Sequence, residues 1–176
     1  MIQEVVLKDG TKGEIRYANE SDAKQIIKKM EKMIRDENYL EEDENSLNDV
    51  EEEKKEIKKI KREGSLYAVI DIEGEIAGVL ILRRGKLAMN NHIVTVRVWI
   101  TEKYRGEGLG STLMEYGIEW SLKAGVEKIC LDVFSNNPRA IQMYEKFGFV
   151  VEGIRKRQYV IENKYVDEFF MSKFLQ

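Results

Sequence analysis

Two spacings of apolar residues alternate along the chain, and each change of spacing marks an element. Ala23, Ile26, Ile27, Met30, Met33 and Ile34 recur at helical spacing and make one apolar face over about three turns. Asn19 or Ser21 can cap that helix, because a short polar side chain accepts from an amide the helix leaves without a partner. Before it, apolar runs flank Asp9-Gly10, a turn signal that predicts a hairpin or two short strands. Val50, Ile57 and Ile60 carry a second helix, rich in glutamate and lysine, which Gly64 closes. SLYAVIDIEGEIAGVLILRR then predicts a hairpin turning at Glu73-Gly74, and HIVTVRVWI another strand.

A helix is predicted from about Gly108 to Ala124, with Leu109, Leu113, Gly117 and Trp120 along its inward stripe and Gly125 after its end. KICLDVF follows as a strand. NPRAIQMYEKFGF predicts a short helix with Asn137 as N-cap, Pro138 at the first helical position and Gly148 just past the end. RQYVIE and KYVDEFFMSKFL close the chain as a strand pair that turns near Asn163. Hairpins combined with one strand–helix–strand crossover predict a mixed α/β sheet with helices on its faces. A length of 176 residues fits a single domain over 1–176.

Composition narrows the function classes. A formal net charge of −3 argues against nucleic acid as partner, since nucleic-acid binders carry a basic excess. One cysteine, Cys130, excludes an internal disulfide and fits a reducing, cytoplasmic setting. The start MIQEVVLKDG lacks the basic and apolar regions of a signal peptide, and no stretch approaches the ~20 apolar residues of a membrane span. No metal-ligand spacing is visible. DENSLND fails as a calcium loop because its fifth and sixth positions are Leu47 and Asn48.

The candidate chemistry lies in KYRGEGLGSTLMEY, residues 103–116, where Gly106, Gly108 and Gly110 stand on alternate positions at a helix start. Each glycine lowers helix propensity by ~1 kcal/mol. A helix start, however, presents four unpartnered amides and a partial positive charge, and glycine lets a ligand reach them. An anion there would offset the lost propensity, as in phosphate-binding loops. A Walker A loop is excluded, because no lysine follows Gly110. The dinucleotide pattern Gly-x-Gly-x-x-Gly, counted from Gly106, fails at its sixth position, Ser111, although Asp132 stands about twenty residues on.

The string that fits is Arg-x-x-Gly-x-Gly, at Arg105, Gly108 and Gly110. Here the chain resembles the GNAT acyl-CoA N-acetyltransferases. The resemblance continues in Asn-x-x-Ala-Ile-x-x-Tyr-x-x-x-Gly-Phe, with Asn137, Ala140, Ile141, Tyr144, Gly148 and Phe149 in place. It covers residues 14–175 in element order and 92–150 in motif detail. It implies a GNAT fold: a mostly antiparallel sheet of six to seven strands with one splayed parallel pair. It also implies acetyl-CoA as cosubstrate. Arg105, Gly106, Glu107, Gly108, Leu109, Gly110 and Ser111 would wrap the pyrophosphate. Backbone at Val98 and Ile100 would pair with the pantetheine arm, Asn137 would contact it, and Tyr144 would protonate the leaving thiolate. The acceptor would be a small-molecule amine or a peptide N-terminus attacking directly; a homodimer is left open. The competing class is a non-catalytic acyl-CoA-binding module.

Several residues have plainer readings beside these. Asn137 is a good N-cap in its own right, and Tyr144 shares a helix face with apolar neighbours. Cys130, mid-strand, reads as a small buried hydrophobe rather than a nucleophile. His92 reads as a strand-edge residue. Related sequences often carry a glutamate base ten residues before the motif arginine; here that position is Thr95, which cannot serve. Lastly, ten of the eighteen residues from Asp36 to Glu53 are acidic and none is basic. That run is either a solvated loop or a negative field that draws a cationic acceptor.

Overall fold

The computed structural model describes residues 2–36 and 45–175. Its first part contains β1 (Gln3–Val6), β2 (Lys12–Tyr17), α1 (Ala23–Asp36), α2 (Val50–Arg62), β3 (Leu66–Ile72), β4 (Glu75–Arg84) and β5 (Ile93–Ile100). Then come α3 (Leu109–Lys123), β6 (Lys128–Phe134), α4 (Pro138–Lys146), β7 (Val150–Ile161) and β8 (Lys164–Phe174). Short 3₁₀ turns at Glu20–Asp22 and Glu102–Tyr104 lead toward α1 and α3. The strands form one eight-stranded sheet in the order β1-β2-β3-β4-β5-β6-β8-β7. β5 and β6 run parallel, with Ile93–Thr95 opposite Lys128–Cys130. The pairs β1–β2, β2–β3, β3–β4, β6–β8 and β7–β8 are antiparallel.

The resemblance implies about six to seven strands; the sheet has eight, which are the runs that read as strands along the sequence. β7 begins at Val150, well before the strand predicted from RQYVIE. Two register shifts against β8, at Val151/Gly153 and Arg155/Tyr159, insert extra residues, and nearly every β7 side chain is exposed. Residues 150–156, bulged and with no buried face, show no period of two, so only the second half of β7 reads as a strand in the sequence.

Contacts divide the chain into two compact units, Met1–Arg83 with Arg97–Gly117, and Arg84–Val96 with Ile118–Gln176. In the first, Ile26, Met30 and Met33 of α1 and Ile57 and Ile60 of α2 pack on Tyr67, Val69, Val79 and Trp99. The period-3.6 face of α1 and the apolar rows of β3 and β4 thus make one core. Gly78 on β4 brings β5 close: a Cβ there would lie 2.5 Å from Ile100 Cδ1 and 2.9 Å from the Trp99 carbonyl oxygen. In the second unit β6 pairs with β8 along its whole length, Lys128–Phe134 against Glu168–Phe174. Glu168, only 1% exposed, accepts from Arg155 Nη1 at 2.6 Å and from the Tyr159 hydroxyl at 3.1 Å.

The acidic run is described only in part. Residues 37–44, including Glu41, Glu42, Asp43 and Glu44, lie outside the described residues. In the remainder, Asp49 N-caps α2, accepting from the Glu52 amide at 2.8 Å while the Glu52 carboxylate accepts from the Asp49 amide at 3.0 Å. This reciprocal pair satisfies amides the helix cannot. Glu53, 5% exposed, accepts from the Tyr67 hydroxyl at 2.5 Å and from Asn48 Nδ2 at 2.8 Å. Its charge is therefore neither solvated nor part of an outward field. Burial, and then the Glu53 charge, push the Tyr67 phenol well above its ordinary pKa and keep it a donor. Glu53→Ala leaves that hydroxyl buried without an acceptor and should cost roughly 1–3 kcal/mol. Urea unfolding of the variant checks this, and a loss below about 0.5 kcal/mol would show that the pair does not hold α2 to the sheet.

Candidate active site

The glycine-rich loop is fastened at its entry. Beyond Ile100, the Thr101 amide donates to the Ala77 carbonyl at 2.9 Å, which holds the end of β5 against β4. The 3₁₀ turn that follows buries Tyr104, whose hydroxyl donates to Glu75 Oε2 at 2.7 Å. Lys103 pairs with the same oxygen, and Lys29 of α1 reaches Oε1 at 2.9 Å. The Lys103 hydrogen bond first, then those of Lys29 and Tyr104, hold the Glu75 carboxyl down to about 2. Glu75 is thus charged at any ordinary pH and ties α1, β4 and the loop entry together. Arg105 folds back, its Nε and Nη2 donating to the Ile100 carbonyl at 3.2 Å each.

The loop then takes two left-handed residues, Gly106 at φ +82° and Gly108 at φ +81°. Apart from each glycine and its two chain neighbours, no described atom lies within 4 Å of where a Cβ on either would stand. Backbone conformation demands these glycines, and the space beside them is open. The Glu107 side chain is drawn aside by the Lys8 amide, which donates to Oε2 at 2.9 Å. The bond from the Thr112 amide to the Gly108 carbonyl, 3.1 Å, opens the helical ladder of α3. The amides of Leu109, Gly110 and Ser111 come before it and have no acceptor four residues back. No acidic side chain stands in the first turn of α3 to meet the positive end of its dipole. Val98 and Ile100, on either side of buried Trp99, are half-buried at the end of β5.

In the second unit Asn137 caps α4, its Oδ1 accepting from the Ala140 amide at 3.2 Å, with Pro138 opening the helix. Tyr144 is 8% exposed and packs on Phe149, ring centroids 5.8 Å apart. Its carbonyl accepts from the amides of Phe147 and Phe149, both at 3.0 Å, where Gly148 turns the chain at φ +82°. Burial pushes the Tyr144 phenol up to about 12. Burial also raises the half-buried Cys130 thiol, which weakens it as a nucleophile. Thr95 is exposed on β5 opposite Cys130, and the His92 carbonyl accepts from the Glu127 amide at 2.8 Å.

Glu75, Lys29, Tyr104 and Lys8 were not singled out from sequence. Their partners lie tens of residues away in the chain, and no local spacing signals them. Among the described residues no cluster of three or more His, Cys, Asp or Glu could hold a metal ion, and no helix is long and apolar enough to cross a membrane.

Residues 27–149 match the family model of the Acetyltransferase (GNAT) family. The chain is 29% identical over 116 residues to the L-amino acid N-acetyltransferase AaaT of Escherichia coli (strain K12), covering 64% of this chain and 70% of that protein. It is 32% identical over 72 residues to a spermidine N(1)-acetyltransferase of Vibrio cholerae, covering 40% of this chain and 42% of that protein. Among solved structures, a GNAT-family acetyltransferase from Streptococcus pneumoniae superposes with a TM-score of 0.86 at 27% identity, covering 92% of this chain and 98% of that one. The family match takes in both the glycine-rich start of α3 and the Asn137–Phe149 segment, so the chain belongs to the GNAT family of acetyltransferases, with acetyl-CoA as cosubstrate.

Proposed function

We propose that the chain acetylates a primary α-amine, that of an amino acid or a peptide N-terminus, by direct attack on acetyl-CoA. The observation that carries the reading is the start of α3: three unspent amides behind two left-handed glycines, with no acidic side chain in the first turn. That is a receptor for the coenzyme's diphosphate. Arg105 shapes the loop by closing onto Ile100, and Gly106 to Ser111 supply its amides. The backbone of Val98 and Ile100 pairs with the pantetheine arm as an added strand would. Asn137 contacts the same arm through whatever its capping bond leaves free.

The amine lone pair forms the new C–N bond at the thioester carbonyl, and the C–S bond breaks as the tetrahedral adduct collapses. Tyr144 meets the departing sulfur. With its phenol raised to about 12, it is protonated throughout the neutral range and donates to the thiolate as charge develops. A thiol of pKa ~8.5 is the stronger acid, so Tyr144 does not end the reaction as phenolate; the proton shed by the attacking amine restores it. Acceptor choice follows from Thr95. With no carboxylate at that position, the amine should arrive neutral. At pH 7 an α-amine of pKa ~8 is roughly 10% neutral, against roughly 0.04% for an alkyl amine of pKa ~10.4. The Escherichia coli relative is named for L-amino acids, in line with this preference. A polyamine acceptor is the second reading, favoured by the name of the Vibrio cholerae relative.

Gly108→Val places a branched side chain at φ +81° on the open side of the loop. Calorimetry should show loss of most acetyl-CoA affinity while circular dichroism shows the fold kept. Affinity equal to wild type would remove the diphosphate reading. Tyr144→Phe keeps the packing on Phe149 and deletes the proton, so kcat should fall ~10²–10⁴-fold. In wild type no loss of rate through ionisation of Tyr144 should appear below about pH 11, because the phenol titrates near 12. A fall of less than threefold would return Tyr144 to the core. Thiol release with acetyl-CoA and a panel of amino acids, peptides and polyamines identifies the acceptor; no turnover with any of them would favour the binding-module class.

A further inference from the structure

The tip of the β1–β2 hairpin meets the glycine-rich loop. Its own bonds close it: the Leu7 amide donates to the Thr11 carbonyl at 2.8 Å, the Gly10 amide to the Leu7 carbonyl at 2.9 Å, and the Thr11 amide to Asp9 Oδ1 at 2.9 Å. From this closed turn Lys8 makes two contacts across nearly a hundred residues of sequence. Its amide donates to Glu107 Oε2 at 2.9 Å, and its ammonium donates to the Gly106 carbonyl at 2.5 Å.

Glu107 poses an electrostatic problem. It stands inside the loop read above as the receptor for a diphosphate, and a carboxylate there repels the ligand. The Lys8 amide holds that carboxylate in place, and the Lys8 ammonium sets a positive charge on the adjoining residue of the loop. An ammonium has three donors, and Gly106 accepts one. We propose that Lys8 is a further binding residue for acetyl-CoA. Its ammonium donates to a diphosphate oxygen beside the Gly106–Ser111 amides and offsets the charge of Glu107. The hairpin tip thereby becomes part of the cosubstrate site. This rests on the reading that the Arg105–Ser111 loop takes the diphosphate.

The two contacts can be separated. Lys8→Met keeps the backbone amide, and with it the hold on Glu107, while removing the ammonium; Lys8→Arg keeps a cation. Calorimetry with CoA and with 3′-dephospho-CoA, at several salt concentrations, is the test. For Lys8→Met the Kd for CoA should rise about tenfold at ~0.05 M salt and the difference should shrink as salt screens the charge. Lys8→Arg should recover most of the affinity. The same penalty with 3′-dephospho-CoA locates the contact at the diphosphate; a penalty that vanishes with that ligand places Lys8 on the 3′-phosphate and overturns the assignment. Glu107→Gln should bind CoA at least as tightly as wild type and should reduce the penalty of Lys8→Met in the double variant. Wild-type affinity in Lys8→Met, with Gly108→Val defective, would sink the role of Lys8 and leave the loop reading standing. Wild-type affinity in Gly108→Val would sink the loop reading itself.

Discussion

A helix cannot satisfy its own first amides, and the region around residues 100–112 is organised by that fact. At the start of α3 the amides of Leu109, Gly110 and Ser111 precede the first ladder bond, that of Thr112 to Gly108. Most helices meet this constraint with a capping side chain, as Asp49 does for α2 and Asn137 for α4. α3 is preceded by glycine instead, so its amides stay open to a ligand. Keeping such a start in one conformation takes anchoring from outside the helix. Glu75 with its three donors, Thr101 on Ala77, and Arg105 on Ile100 provide it. The loop is held in one conformation, so a ligand bound there would not need to order it.

The charges around the loop follow one logic. Glu75 is an acid that serves the loop from outside, fully occupied by Lys29, Lys103 and Tyr104. Glu107 is an acid within the loop and is held by the Lys8 amide. Neither side chain caps the first turn of α3, where a carboxylate would compete with the ligand. Burial acts on Tyr144 in the other sense: it raises the phenol and keeps its proton available.

What the sequence disclosed was local. The apolar face of α1, the turns at Glu73-Gly74 and Glu162-Asn163 with their positive φ values, and the caps at Asn137, Gly125 and Gly148 all depend on residues a few positions apart. The Arg105–Ser111 pattern was legible for the same reason, since positive φ and a helix start are written in consecutive residues. What stayed hidden was non-local or aperiodic. Glu53 sits in a run of acids that reads as a solvated loop or an outward negative field, and only Tyr67 and Asn48 make it a buried acceptor. Glu75 and Lys8 have unremarkable neighbours in sequence and gain their roles from partners far along the chain. The first half of β7, residues 150–156, has no buried side chain and is bulged, and so carries no alternation to find.

The central claim is that the open amides at the start of α3 are the receptor for the coenzyme. Residue-resolved amide hydrogen exchange, with and without saturating CoA, tests it most directly. The account predicts that the amides of Gly108, Leu109, Gly110 and Ser111 gain protection on binding, more than those later in α3, which are already bonded. Binding of CoA with exchange at these four amides unchanged would contradict it.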